Sequence, residues 1–143
     1  MATPSTIKPT PIALVVCDTI YQEQASGKTA LVGLFNGILA SSFPVRHPRM
    51  AVFASVTGLR DGSHAKLDIV HSETEQCIVS AQGPFPGGPA PVTVVDMNFV
   101  FNNVVFPEEG TYYVRFWGND HLLLMRPFEV RAIKRQEEGH ENR

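Results

Sequence analysis

The side chains of this chain best suited to metal binding or covalent chemistry are its five histidines, His47, His64, His71, His121 and His140, and its two cysteines, Cys17 and Cys77. Zinc sites draw on short, regular ligand spacings. No His-x-His or His-x₃-His pair occurs here, and neither cysteine has a second cysteine nearby. His71 with Glu73 and Glu75 is the one local cluster, and "HSETEQ" reads as a turn, where polar residues belong. No metal and no cofactor is expected.

Covalent catalysis finds little support. There is no Gly-x-Ser-x-Gly elbow. A reactive cysteine needs an exposed, electropositive setting, whereas Cys17 follows "IALVV" inside an expected strand. Asp18 ends that apolar run and is expected to need a partner, either Lys28 across the first hairpin or a backbone amide. "ASGKTALVG" contains Gly27-Lys28-Thr29, but the first glycine of a phosphate loop would fall on Gln22, and a strand rather than a helix follows. No catalytic residue is assigned. An enzyme would require Cys17, or His47 with Asp18, to open into one cleft.

Non-covalent binding has a better candidate. In "GTYYVRFWG" the alternation of a strand places Tyr112, Val114 and Phe116 on one face and Tyr113, Arg115 and Trp117 on the other. With Arg126 and Arg131 from the next strand, this second face forms a candidate interaction surface. Tyr, Trp and Arg are the residue types enriched at interface hot spots. The plainer reading is that the same face lies under the N-terminal arm or a loop. Arg46, His47 and Arg49 form a small basic loop without interleaved aromatics, so no nucleic-acid partner is expected.

The elements that must position these residues are strands. The chain has 143 residues, 43% of them hydrophobic and 18% charged, with a net charge of −2. That length suits one domain with its own core and no need of disulfides. No stretch shows a convincing 3.6-residue period, and eleven glycines and eleven prolines punctuate the chain. Met50, Val52, Ala54 and Val56 alternate, as do Ala65, Leu67 and Ile69, and Val95, Met97, Phe99 and Phe101. Asp61-Gly62 and Gly118-Asn119-Asp120 mark tight turns. "TALVGLFNGILA" reads as one strand interrupted by Gly33 and Gly37, "SSFPVRHPRM" as a loop, and "GPFPGGPAP" as a loop or edge crossover. The expected fold is all-β, a sandwich of about seven or eight mostly antiparallel strands. A flexible arm over residues 1–10 and a disordered tail over 135–143 flank a single domain at 11–134.

Two resemblances sharpen this reading. Glu108, Gly110 and Tyr112 resemble the E–F corner of immunoglobulin-like sandwiches, where a tyrosine hydroxyl bonds back to the backbone two residues before a cysteine. Here Val114 stands at the cysteine position, which suits a reducing compartment. Over longer stretches the chain is similar to a family of uncharacterised bacterial proteins, a domain of unknown function. The matching segments are "ALVVCDTIYQEQASGKTALVGLFNGI", "FPVRHPRMAVFASVTG" and "VVFPEEGTYYVRFWGNDHLLLMRPFEV". The resemblance implies a compact β-sandwich and brings no activity with it.

The N-terminus lacks the charged start and long apolar core of a signal peptide, and its longest apolar run, Ile12 to Cys17, is too short to span a bilayer. A cytoplasmic protein with reduced thiols and no membrane partner is expected. The functional expectation is a non-catalytic interaction module, acting on an unknown protein partner or by homodimerisation. The alternative is a small-ligand or carbohydrate-binding sandwich built around Trp117 and Tyr113.

Overall fold

The computed structural model describes residues 4–85 and 91–134. The expected C-terminal tail, 135–143, and residues 86–90 of the proline-rich segment lie outside the described residues. Nine strands are described: β1 (Thr10–Gln22), β2 (Thr29–Leu34), β3 (Gly37–Ala40), β4 (Val45–Thr57), β5 (His64–His71), β6 (Cys77–Pro84), β7 (Val95–Phe106), β8 (Gly110–Gly118) and β9 (His121–Ala132). They form two sheets, ordered β2-β1-β4-β7 and β3-β9-β8-β5-β6. Neighbours run antiparallel except β3 and β9, which are parallel.

The arrangement is an immunoglobulin-like sandwich. In that fold the strands A, B and E share one sheet, and C, F and G share the other, with C′ added beside C. Here β1, β4 and β7 take the first three places, β5, β8 and β9 the second three, and β6 the added one.

Alternation in the sequence builds the core. Met50, Val52, Ala54 and Val56 of β4 are fully buried, as are Leu67, Ile69, Tyr112, Val114, Phe116, Phe128 and Val130 from the facing sheet. The ring of Phe106 stacks on Phe128 at 5.6 Å and meets the edge of Tyr112 at 5.1 Å. Val114 sits in this core without any cross-sheet disulfide; Cys17 and Cys77 are both free.

Three expectations are corrected. First, "TALVGLFNGILA" is two strands in different sheets. The chain leaves the first sheet at Leu34 and joins the second at Gly37, with Phe35 N–H donating to Val16 O at 3.2 Å and Glu129 N–H to Asn36 O at 3.0 Å. Phe35 turns inward at this step and meets Phe128 edge-on at 5.6 Å, which holds the crossing shut. Second, β4 begins at Val45, so Arg46, His47 and Arg49 lie on a strand rather than in a loop. The twelve-residue β7 continues to Phe106 and pairs there with Val45. Third, the N-terminal arm is docked from Ser5 onward. Ser5 N–H donates to Gly62 O at 3.0 Å, Asn119 Nδ2 donates to Ile7 O at 2.7 Å, and Pro9 is buried.

Candidate functional site

The five-stranded sheet turns one face to the core and the other outward. Tyr113, Arg115 and Trp117 occupy the outward face of β8, as alternation requires, because Tyr112, Val114 and Phe116 are fully buried on the other. On β5, Lys66 stands opposite Trp117 and Asp68 opposite Arg115. On β9, Leu122 pairs with Trp117 and Met125 with Arg115.

A fixed charge cluster lies at the middle of this face. Arg115 Nε donates to Asp68 Oδ1 at 2.7 Å and its Nη2 donates to Oδ2 at 2.9 Å. This is the bidentate geometry that makes arginine–carboxylate pairs strong and directional. Lys66 Nζ adds a longer contact to Asp68 Oδ2 at 3.8 Å. Asp68 points outward, yet its side chain is only 2% exposed, because these two cations and its strand neighbours cover it. The hydrogen bonds that Arg115 donates to Asp68 hold its guanidinium above even its usual arginine range. The same guanidinium lies 5.0 Å from the Trp117 ring centre, and Lys66 Nζ lies 5.8 Å from it. Cations at that distance from an indole are attracted by its ring quadrupole. Trp117 is half-buried, and its Nε1 is buried without an acceptor among the described residues.

Arg131 stands on the same outward face, at the β3 side. It forms an ion pair with Glu129, whose Oε2 accepts from Thr111 Oγ1 at 2.8 Å. Arg126 does not belong there. It pairs with the inward-facing Val114 and reaches between the sheets, where Nη1 donates to Leu14 O and Nη2 to Asn36 Oδ1, both at 2.6 Å. It thus caps a β1 carbonyl where the first strand pairs with β4 but not yet with β2. The parity of the sequence carries this signal: Arg126 shares the even register of Phe128 and Val130, and Arg131 does not. Leu39 of β3 completes the outward face beside Arg131 and is 69% exposed.

The corner residues lie at the other end of β8. Tyr112 Oη donates to Glu108 O at 2.6 Å, and burial pushes its phenol above the usual value. Gly110 passes His71 so closely that a Cβ there would sit 2.7 Å from Nε2. His71 is itself buried at the end of β5 rather than in the solvated turn. Its Nδ1 accepts from the N–H groups of Glu73 and Thr74 at 3.1 and 3.2 Å, and its ring stands edge-on to Tyr112 at 4.9 Å.

Among the described residues no hydrogen bond or ion pair joins those open to a catalytic reading, and the one side-chain hydrogen bond of Cys17 goes to Thr19 O. Cys17 is fully buried, and burial raises its thiol above the usual value, which disfavours the thiolate. Asp18 is exposed, since β1 separates from β4 beyond Cys17, and it makes no ion pair with Lys28. Its carboxylate instead folds over Gly33, where φ is +77° and a Cβ would meet Oδ2 at 2.6 Å. The His47 ring lies 5.4 Å from that of Phe35. Among the described residues no group of three or more His, Cys, Asp or Glu could hold a metal ion, and no helix is long and apolar enough to cross a membrane.

Residues 12–131 match a family of unknown function, DUF6941. The chain belongs to that family. A comparison of this DUF6941 chain with curated proteins finds no match. Among solved structures, it is similar to the alkylpurine DNA glycosylase AlkC of Pseudomonas fluorescens bound to DNA containing an abasic site analog, with 10% identity and a TM-score of 0.51. The similarity covers 87% of this chain and 31% of the glycosylase, so the DUF6941 chain spans about a third of that protein's length. An immunoglobulin-like protein of Pseudomonas aeruginosa is similar at 12% identity over 89% of this chain and 99% of its own, with a TM-score of 0.46. At these identities the likeness to the glycosylase is one of fold alone.

Proposed function

We propose that this DUF6941 chain is a non-catalytic interaction module that engages a protein partner through the outward face of its five-stranded sheet. The observation that carries the reading is the Asp68–Arg115–Trp117 assembly, a bidentate ion pair laid against an indole on an open sheet face. Fixing a guanidinium before binding lowers the ordering cost that a flexible side chain pays on association. Leu122 and Met125, exposed at 40% and 49%, flank the cluster with apolar area of the kind interface cores use, and Leu39, 69% exposed, lies farther along the same face. The competing carbohydrate reading needs a free indole plane, and both Lys66 and Arg115 lie against this one.

The test is affinity capture from lysate of the source cells with the wild-type chain and with Met125→Asp, quantified by mass spectrometry. Met125 touches the proposed partner without supporting the fold. One or more proteins enriched by the wild type and depleted at least about tenfold by the variant would support the reading, since hot-spot losses exceed about 2 kcal/mol. An identical captured set would remove it. Titration of the indole fluorescence with a glycan panel tests the alternative.

A further inference from the structure

We propose that β2 is a self-association edge, and that two copies of this chain pair their β2 strands antiparallel about a two-fold axis. The two four-stranded sheets then become one sheet of eight strands.

The argument starts from the hairpin of β1 and β2. β1 pairs with β4 only from Thr10 to Cys17, while its pairing with β2 runs from Cys17 to Gln22. The distal hairpin is therefore a two-stranded ribbon that has left its sheet. Such ribbons are marginal in water unless a third strand joins them. This one also exposes Tyr21 (58%), Val32 (49%) and Leu34 (65%) on a single face.

The edge it offers is unguarded. Natural sheet edges are protected by charge, proline, kinks or brevity. β3 has four residues, β6 ends in Pro84, and β7 carries Asp96, three asparagines and a left-handed residue at Asn103 (φ 56°). β2, "TALVGL", has none of these devices before Gly33. Glu23 N–H donates to Lys28 O at 2.8 Å at the hairpin end. Antiparallel alternation then turns the backbone groups of Ala30 and Val32 toward β1 and those of Thr29 and Leu31 toward the open edge.

The occupant follows from self-complementarity. A two-fold axis normal to the sheet keeps each face on its own side, so partners must share parity. With Leu31 on the axis, the two Leu31 residues exchange N–H···O bonds, Ala30 faces Val32 of the other copy, and Thr29 faces Gly33. The uncharged edge brings no like charges together, as an acidic or basic edge would. Lys28 meets Leu34 of the other copy rather than its own equivalent, and its aliphatic stem can cover that leucine. The stripe of Tyr21 and Val32 then continues across the axis.

The experiment uses the full chain. Light scattering on a size-exclusion column should give twice 15.7 kDa for the wild type at tens of micromolar. Leu31→Pro removes an edge N–H, and Val32→Lys places like charges near the axis; each should return the mass of one chain while circular dichroism stays unchanged. In a Cys77→Ser background, Leu31→Cys should oxidise to a covalent dimer, because facing residues of a bonded pair lie about 5.5 Å apart. Ala30→Cys, off the axis, should not. A wild type that is monomeric up to millimolar concentration would overturn the proposal. So would a dimer that survives Val32→Lys without the Leu31→Cys cross-link, or one that dissociates with Met125→Asp but not with Val32→Lys.

Discussion

One outward face of this sandwich hides a charge at its middle, and the other leaves several apolar side chains in solvent. On the five-stranded sheet, outward positions carry charges that are buried and paired: Asp68 is hidden under Arg115 and Lys66. On the four-stranded sheet, outward positions carry apolar side chains that are exposed: Tyr21, Val32, Leu34 and Val100 all stand in solvent. Polarity in the sequence therefore does not report which outward residues hold the fold. Asp68 is structural on one face, whereas Leu34 and Val32 stand idle in solvent on the other.

Stability measurements can break that contrast. Arg115→Ala should have the largest effect, because it leaves Asp68 buried with only Lys66 at 3.8 Å. Removing one partner of a buried pair costs about 3 kcal/mol, which for a domain of this size lowers Tm by roughly 10 °C. Asp68→Ala should cost about half as much, because the Arg115 side chain is 27% exposed and can turn to water. Equal losses in a denaturant titration would show that the pair is not asymmetric. Tyr112→Phe should cost about 1 kcal/mol through the lost bond to Glu108 O. At the other extreme, Leu34→Ser should change the unfolding free energy of the monomer by less than about 0.5 kcal/mol. A loss of 2 kcal/mol there would end the contrast.

Alkaline titration probes the interior. Burial raises both Cys17 and Tyr112 above their ordinary values of 9.0 and 10.0. The unfolded chain ionises these groups first, so their contribution is intact below pH 9 and is lost as pH rises past it. The expected outcome is a Tm that falls above pH 9, with Tyr112→Phe flattening the part of the decline above pH 10.

Much of this fold was legible in the sequence, for definite reasons. The inward stripes of β4, β5, β7 and β8 follow a period of two that only a half-buried strand needs; the structure buries those of β4, β5 and β8 and half-buries Met97, Phe99 and Phe101 of β7. Asn119 and Asp120 take the positive φ values, 50° and 66°, that the Gly-Asn-Asp turn called for. What escaped was long-range. Asp68 finds Arg115 only through the pairing of β5 with β8, which no local pattern encodes. The step of "TALVGLFNGILA" between sheets depends on a core slot for Phe35 that distant strands create. Arg126 is the exception, since its parity already assigned it inward.

The parallel pairing of β3 with β9 has a temporal consequence. Gly37–Ala40 can find their hydrogen-bond partners only after Glu129–Ala132 exist. During synthesis, therefore, the first third of the chain emerges with its crossing segment unanchored and with the residues of both ribbon strands, β1 and β2, already made. Contacts of such high sequence separation slow folding and lengthen the life of incomplete species. Newly made chains are thus most prone to meet one another before the last strand is in place.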